Sequence, residues 1–202
     1  MTIDQNATYT ANVCTSEGAI TLSLDAKAAP VATNNFVFLA KQRFYDGLTF
    51  HRAAKKFVIQ GGDPKGDGSG GPGYSVKGEV PTDHYAVGAL AAAKSGTDAA
   101  GAFGSQFFIV TGASGATLPN DYARFGSVTS GIDVARKIEG FAPASGDGTP
   151  TKTVKIIKIT ITVGGGSKAT TTSSSTTTTT TTTTAAGAPT SSSSSSSSTT
   201  KP

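Results

Sequence analysis

An abrupt change of composition near Gly164 limits what this chain can fold into. From that point the residues are almost all Ser, Thr, Ala and Gly, with unbroken runs at Thr176–Thr184 and Ser191–Ser198. Such a segment has no large apolar side chains to offset the entropy lost on ordering it. What precedes it is long enough for one domain with a single core. We therefore predict an N-terminal extension at residues 1–8, one folded domain at residues 9–163 and a disordered tail at residues 164–202.

Charge and cysteine content exclude several classes of function. The formal net charge is +4, but the basic residues are scattered and form no stripe interleaved with aromatic residues, so we expect no nucleic-acid partner. Cys14 is the only cysteine, which rules out a disulfide within the chain and a cysteine-based zinc site. Neither His51 nor His84 has a carboxylate at metal-ligand spacing, so we predict no metal and no cofactor.

The terminal regions give two expectations about localisation. No apolar stretch reaches the length of a membrane span, and no signal peptide opens the chain, so the sequence as written favours a soluble cytoplasmic protein. The Ser/Thr-rich tail supports the alternative. Tails of this kind often serve as stalks on exported or surface-exposed proteins, and an upstream export segment would then be missing from this sequence.

Short strand patterns dominate the folded part. Alternating apolar residues or short apolar runs predict strands at the following segments: Tyr9–Val13, Ala19–Leu24, Thr49–Arg52, Phe57–Gln60, Val87–Ala93, Gln106–Val110 and Ile157–Val163. The glycines and prolines of Gly61–Gly73 predict a loop. Many short strands with few helices favour a mainly β architecture. Among such architectures a barrel is favoured, because closing the sheet leaves no unpaired edge strand.

Two helices are expected between these strands. Pro30 opens the first, because its missing N–H costs nothing at the first helical position. The second follows Ser130, which resembles the first residue of a capping box with Asp133 in the place of the usual Glu. Gly140 is its expected end.

Polar residues occur in three of the apolar strand segments and mark a candidate site. Arg52 and Gln60 stand in neighbouring segments, and Gln106 stands in a third, with Phe57 and Phe108 close by. Glutamines in core-like segments must be hydrogen-bonded, or they reduce stability. Gln60 and Arg52 can satisfy each other across a barrel face, which predicts an apolar pocket with a cationic donor at its rim.

Other motifs give weaker indications. His51 is a candidate general base, but a buried histidine bonded to a backbone carbonyl is the favoured interpretation. Ser69 lies in a glycine-rich context similar to that of chymotrypsin-like proteases, yet Gly68 interrupts the motif and the triad partners are absent. The same glycines lack the ending of a phosphate-binding P-loop.

At the candidate pocket the sequence resembles the cyclophilin family of peptidyl-prolyl isomerases. The likeness runs from about Tyr9 to Val163 and rests on these segments: Asn34–Phe36, Phe44–Arg52, Phe57–Pro64, Gly104–Ile109 and Phe125–Val128. The family implies a closed eight-stranded antiparallel barrel capped by two α-helices. It also implies an enzyme that accelerates rotation about X–Pro bonds in unfolded or flexible polypeptides and so assists protein folding.

The resemblance also assigns roles to individual residues. Arg52 matches the catalytic arginine, and Gln60 matches the glutamine that supports it. Gln106 matches a glutamine that binds the substrate backbone. The remaining substrate-binding positions are the pocket walls Phe57, Val58, Phe108 and Leu118, the main-chain contacts at Ala93 and Lys94, and Tyr122, which replaces a common histidine.

Three departures from the family pattern affect the expected binding preferences. Lys94 replaces the usual asparagine, so a main-chain contact there would survive, but a contact made by the asparagine side chain would be lost. The loop from Ser95 to Phe103 is a few residues longer than usual, and it borders a second pocket. Thr117 stands where cyclosporin-sensitive members carry tryptophan, so we expect weak cyclosporin binding.

The expected partners are proline-containing polypeptides, and nothing in the sequence suggests more than a monomer. An alternative to catalysis is a binding module that holds proline-containing segments without useful turnover. A further alternative, surface adhesion, concerns the Ser/Thr tail only.

Overall fold

The structure, a computed structural model, describes residues 1–165. Its strands and helices, in chain order, are β1 (Thr8–Thr15), β2 (Gly18–Leu24), α1 (Pro30–Lys41), β3 (Thr49–Ala54), β4 (Val58–Asp63), β5 (Val76–Lys77), β6 (Ala89–Ala92), β7 (Ala102–Phe103), β8 (Phe107–Val110), a 3-10 helix (Ala113–Thr117), β9 (Arg124–Ser130), α2 (Ile132–Glu139), β10 (Asp147–Gly148) and β11 (Ile156–Gly164). The predicted tail, apart from Gly164 and Gly165, lies outside the described residues.

Nine strands form one strongly curled antiparallel sheet in the order β10-β3-β4-β8-β6-β9-β2-β1-β11. Eight of them are at least four residues long, and β10 adds two residues at one edge. The sheet ends approach each other, since the Phe50 N–H donates to the Val154 carbonyl at 3.0 Å and the Ile156 N–H donates to the Leu48 carbonyl at 2.7 Å. The predicted mainly β class with two α-helices is confirmed.

The first helix begins as predicted, and the second begins differently. Pro30 stands at the start of α1. The residue that caps α2 is Gly131, with φ 84° and no side-chain cap, so the predicted capping box at Ser130 is wrong. Ser130 is the last residue of β9 and pairs with Thr21. A Cβ on Gly131 would lie 2.3 Å from the Ala19 carbonyl oxygen, which explains why a glycine makes this turn.

The predicted loop at Gly61–Gly73 starts later than expected. Strand β4 continues through Gly61 and Gly62 to Asp63. Gly62 has φ 86°, and a Cβ there would lie 2.6 Å from the Ser105 carbonyl oxygen, so the glycine permits close strand packing. The glycine-rich composition therefore predicted a loop at Gly61 and Gly62, where the glycines are in fact needed for close packing within a strand.

A buried carboxylate organises the loop that follows β4. Asp63 is 1% exposed and accepts hydrogen bonds from the N–H groups of Lys65 and Asp67 at 2.8 and 3.1 Å and from that of Gly68. Burial raises the pKa of Asp63, but hydrogen bonds from backbone N–H groups outweigh it and hold the pKa below its usual value. The loop is thus anchored next to the candidate site.

Two apolar clusters cover opposite faces of the central strands. The larger contains the aromatic residues Phe36, Tyr45, Phe107 and Phe125 together with most of the core. The smaller contains Val58, Tyr85, Ala91, Phe108 and Val110, with Phe57, Leu118 and Tyr122 packed against it. Strands β6 and β8 are buried on both faces, which is why their sequences are apolar runs without alternation.

No helix within residues 1–165 is long and apolar enough to cross a lipid bilayer.

Candidate active site

Adjacent strands bring Arg52 and Gln60 together. Arg52 on β3 pairs in register with Gln60 on β4, so both side chains leave the same face of the sheet. The Arg52 Nη1 donates to Gln60 Oε1 at 3.1 Å. The sequence-based expectation that these two residues satisfy each other is confirmed.

A chain of amide hydrogen bonds continues from Gln60 into the glycine-rich loop. Gln60 Nε2 donates to Gln106 Oε1 at 2.9 Å. Gln106 Nε2 in turn donates to the carbonyl oxygens of Gly68 and Gly70, each at 2.9 Å. Because each amide donates at one end and accepts at the other, the network fixes which Gln60 atom faces Arg52.

Arg52 also forms a bidentate ion pair with Asp147 on β10. Its Nε donates to Asp147 Oδ1 at 2.8 Å, and its Nη2 donates to Asp147 Oδ2 at 2.6 Å. The hydrogen bonds from Arg52 lower the pKa of Asp147, and the same contact raises the pKa of Arg52, so both groups are charged at neutral pH. The guanidinium carbon also lies 5.8 Å from the centre of the Phe57 ring.

The apolar side of the site belongs to the smaller cluster. Phe108 meets Tyr122 edge to face, with ring centres 5.4 Å apart and planes at 88°. Below them lies Tyr85, which is fully buried; its hydroxyl donates to the Tyr122 carbonyl at 2.7 Å and accepts from the Tyr122 N–H at 3.1 Å. This second set of bonds holds Tyr122 in place as a wall.

A cavity of about 140 Å³ lies between the guanidinium and these walls. It is lined by Arg52, Phe57, Val58, Gln60, Ala93, Lys94, Phe108, Leu118 and Tyr122. Nine of the ten predicted site residues therefore surround one small cavity. Gln106, the tenth, instead borders a neighbouring open groove of about 810 Å³, and its side chain contacts the cavity lining through Gln60.

Lys94 is tied down next to the cavity. Its side chain is only 5% exposed, and Nζ pairs with Asp121 Oδ2 at 3.0 Å. Nζ also donates to the Asp98 carbonyl at 3.0 Å and lies 5.6 Å from the centre of the Tyr122 ring. The lysine thus connects the long Ser95–Phe103 loop to the pocket wall, and its ammonium group is already engaged.

Other predicted features are placed away from the chemistry. His51 is buried, and burial lowers its pKa; within residues 1–165 its Nδ1 has no hydrogen-bond partner. Ser69 Oγ lies 3.5 Å from Lys65 Nζ in the glycine-rich loop and has no histidine beside it among the hydrogen bonds of the described residues. The Thr117 hydroxyl donates to the Ser114 carbonyl at 2.7 Å within the 3-10 helix. Weak cyclosporin binding stays a prediction.

Asp147 and Tyr85 are the contributors to this site that sequence reasoning missed. Asp147 lies 95 residues from Arg52 in the chain. It sits in a Ser-Gly-Asp-Gly segment that reads as an ordinary turn. Only the pairing of β10 with β3 brings it to the guanidinium.

Comparison with known proteins gives one consistent family. Residues 10–161 match the family model described as cyclophilin type peptidyl-prolyl cis-trans isomerase/CLD. The chain is 47% identical over 122 residues to peptidyl-prolyl cis-trans isomerase B of Bacillus subtilis, covering 59% of this chain and 82% of that protein. It is 43% identical over 137 residues to a peptidyl-prolyl cis-trans isomerase of Helicobacter pylori, covering 64% and 79%.

Solved structures give the same result. A crystal structure of a cyclophilin type peptidyl-prolyl cis-trans isomerase from Cryptosporidium parvum matches with a TM-score of 0.69 and 29% identity, covering 77% of this chain and 98% of that one. A second structure of that protein, in the presence of the dipeptide Ala-Pro, matches with a TM-score of 0.68. With its sequence and its curled sheet in agreement, the chain belongs to the cyclophilin-type peptidyl-prolyl cis-trans isomerase family.

Proposed function

We propose that the Arg52 cavity binds the proline of an X–Pro segment and that the guanidinium stabilises the twisted peptide bond. The observation that carries this proposal is a guanidinium with donors to spare, held at the rim of a cavity of about 140 Å³ that has apolar side chains on its other side. The substrates are proline-containing segments of unfolded or flexible polypeptides.

Rotation about a peptide bond is slow because amide resonance is lost on the way. The barrier is roughly 18–20 kcal/mol, and an uncatalysed X–Pro bond takes on the order of tens to hundreds of seconds to isomerise. In the twisted state the proline nitrogen becomes pyramidal and basic. A fixed N–H aimed at that nitrogen, or at the proline carbonyl, binds the twisted form better than either planar form.

Arg52 has donors left for this task. A guanidinium carries five N–H groups. Asp147 accepts hydrogen bonds from the Nε–H group and from one N–H group of Nη2, and Gln60 accepts a hydrogen bond from one N–H group of Nη1. Among the residues that the structure describes, one N–H on each terminal nitrogen is therefore left without a partner. Because the other three are committed, the direction of these two is restricted.

The apolar walls hold the proline ring while the other side of the bond turns. Phe57, Phe108 and Leu118 present surface that a proline ring can cover without losing hydrogen bonds to water. The Ala93 N–H donates to the Gln106 carbonyl at 2.9 Å, so only its carbonyl is left to pair with a bound peptide. No covalent intermediate is required, since the electrostatic contribution of a preorganised donor suffices.

The Ala-Pro dipeptide named with the Cryptosporidium parvum structure supports a proline-binding role for the equivalent site of this chain. The Arg52 donors and the apolar walls are the groups that such a segment would meet here. The monomer expected from the sequence stays a prediction.

Replacing Arg52 by alanine tests the proposal. Loss of one preorganised donor costs on the order of 3 kcal/mol of transition-state stabilisation, so we expect Arg52→Ala to lower kcat/KM by roughly 10²–10³-fold. The measurement is the cis-to-trans conversion of a short X–Pro peptide. Lys56→Ala, a nearby exposed cation outside the cavity, is the control and should retain activity. Activity of Arg52→Ala within a factor of about two of wild type would remove Arg52 from the mechanism.

A further inference from the structure

We propose that Asp147 is a positioning residue, which orients the Arg52 guanidinium for isomerisation. This inference rests on the function proposed above. It concerns a carboxylate that touches the catalytic arginine and does not line the cavity.

The geometry of the contact is that of a clamp. Both carboxylate oxygens accept from different guanidinium nitrogens, at 2.8 and 2.6 Å, along the Nε–Nη2 edge. A bidentate contact fixes the plane of the guanidinium as well as its distance. With the Nε–Nη2 edge held by Asp147, the two uncommitted N–H groups lie on Nη1 and Nη2.

The clamp is itself built on ordered backbone. Asp147 pairs in register with Ala54 of β3, and the Lys55 N–H donates to the Gly146 carbonyl at 2.8 Å. The main-chain carbonyl of Asp147 accepts a hydrogen bond from Ser145 Oγ at 3.1 Å. Asp147 is thus hydrogen-bonded, through its strand, to the strand that carries Arg52, so the backbone fixes the position of both side chains relative to each other.

Gln60 alone leaves the guanidinium less restricted. It makes one hydrogen bond, of 3.1 Å, to Nη1, about which the guanidinium can still tilt. The Arg52 side chain is 36% exposed, so water competes for its other donors. Asp147 supplies the two contacts that remove this freedom. An ion pair this exposed adds little to stability in general, so its main consequence is orientation.

One effect opposes the clamp. A carboxylate beside the guanidinium reduces the positive potential that reaches the cavity. We expect orientation to outweigh this reduction, because Arg52 stays protonated and its two free N–H groups act over hydrogen-bond distances. The sign of the change in activity on removing Asp147 therefore decides between the two effects.

The test is made on the full chain with Asp147→Asn and Asp147→Ala. We expect kcat/KM for an X–Pro peptide to fall roughly 5- to 10-fold, with the dissociation constant of the peptide changed less than about twofold. Asp147→Glu, whose longer side chain can still reach Nε and Nη2, should recover part of the loss. Asp46→Asn is the matched control, since Asp46 accepts from Arg43 Nε at 2.8 Å in an ion pair outside the cavity, and it should leave kcat/KM unchanged.

Two further arms separate this inference from the proposed function. In an Arg52→Ala background, Asp147→Asn should change the remaining rate by less than about twofold, because the carboxylate acts through Arg52. By NMR, the Arg52 Nε–H should exchange slowly with water in wild type and much faster in Asp147→Ala. The exchange rate of the Nε–H reports on the Arg52–Asp147 contact whether or not Arg52 is catalytic.

Three outcomes would overturn the inference. The first is unchanged or increased kcat/KM in Asp147→Asn. The second is an equal loss in the Arg52→Ala background, which would place the effect of Asp147 elsewhere. The third is fast exchange of the Arg52 Nε–H already in wild type. If Arg52→Ala keeps wild-type activity while the Nε–H is protected, the clamp exists and the proposed function of Arg52 fails instead.

Discussion

His51 is a buried ionisable side chain next to Arg52 that the proposed mechanism does not use. Burial lowers its pKa most, the charge of Arg52 lowers it further, and Asp63 opposes both. In the part of the chain that the structure describes, its Nδ1 has no hydrogen-bond partner, which favours a neutral ring. The residue thus links the stability of the fold to pH.

The sign of this pH dependence follows from proton binding. In the unfolded chain a histidine titrates near a pH of about 6.5. Below that pH the unfolded state binds a proton that folded His51 resists, so folding stability decreases as the pH falls. We expect His51→Gln to make the free energy of unfolding depend less on pH between about pH 7.5 and 5.5. The slope of that free energy against pH should decrease by at most about 1.4 kcal/mol per pH unit.

Chemical denaturation at several pH values measures this slope. His84→Gln makes the same substitution at an exposed position and serves for comparison. A His51→Gln slope equal to that of wild type would show that His51 does not couple folding to pH.

At the residue scale, the sequence predicted what local chemistry makes conspicuous. Arg52 and Gln60 stood out because polar side chains in apolar strands need partners, and the structure pairs them at 3.1 Å. Asp147 did not stand out because an aspartate in a glycine-rich turn is unremarkable. Its partner lies 95 residues away, and only the sheet topology identifies it.

At the scale of elements, α1 receives its N-terminal cap from a distant residue. Ala29 provides no side-chain cap. Instead the Glu79 carboxylate accepts from the N–H of Val31 at 2.9 Å and from that of Ala32 at 3.3 Å. It satisfies free N–H groups of the first turn and places a negative charge at the positive end of the helix.

We expect Glu79→Ala to lower the free energy of unfolding by about 1 kcal/mol, the typical effect of losing a cap. Glu79→Gln keeps an acceptor oxygen and loses the charge, so it should cost less. Thermal or urea unfolding of the two variants beside wild type measures both effects. Equal stability of Glu79→Ala and wild type would mean that water replaces the carboxylate without cost.

Element boundaries show where sequence patterns stop being informative. The strand predicted at Ala19–Leu24 was found because its alternation matches a half-buried strand. The strand predicted at Ile157–Val163 also forms, but its alternation matches the burial only at Ile159 and Ile161. Ile157 lies at a register shift and is exposed, as is Val163. Strand β9 was not predicted from periodicity, since only Phe125 among its seven residues is buried. Its role in the sheet comes from pairing with β2 and β6, which no local pattern reveals.

At the scale of the whole molecule, the pairing of β1 with β11 joins the two ends of the folded part. Thr8 pairs with Gly164 and Ala11 with Ile161. The predicted domain boundary near Val163 therefore falls at the end of a strand that the sheet needs. The extent of the functional domain stays a prediction.

A pair of truncations tests that boundary. We expect a chain ending at Gly165 to unfold within about 2 °C of the full chain and to keep kcat/KM within a factor of about two, because the truncation removes no described contact of the sheet. A chain ending at Thr160 is the control and should be clearly destabilised, since it lacks four paired residues of β11. A large loss of activity on cutting after Gly165 would contradict the predicted boundary.

The central claim is that Arg52 acts on the twisted bond and contributes little to holding the peptide. The most direct measurement is two-dimensional NMR exchange of an X–Pro peptide with the full chain and with Arg52→Ala, which reports binding and cis–trans exchange in one sample. We predict similar peptide affinity for both proteins and an exchange rate that is roughly 10²–10³-fold lower in the variant. Equal exchange rates, or a loss of affinity that accounts for the whole loss of rate, would contradict the claim.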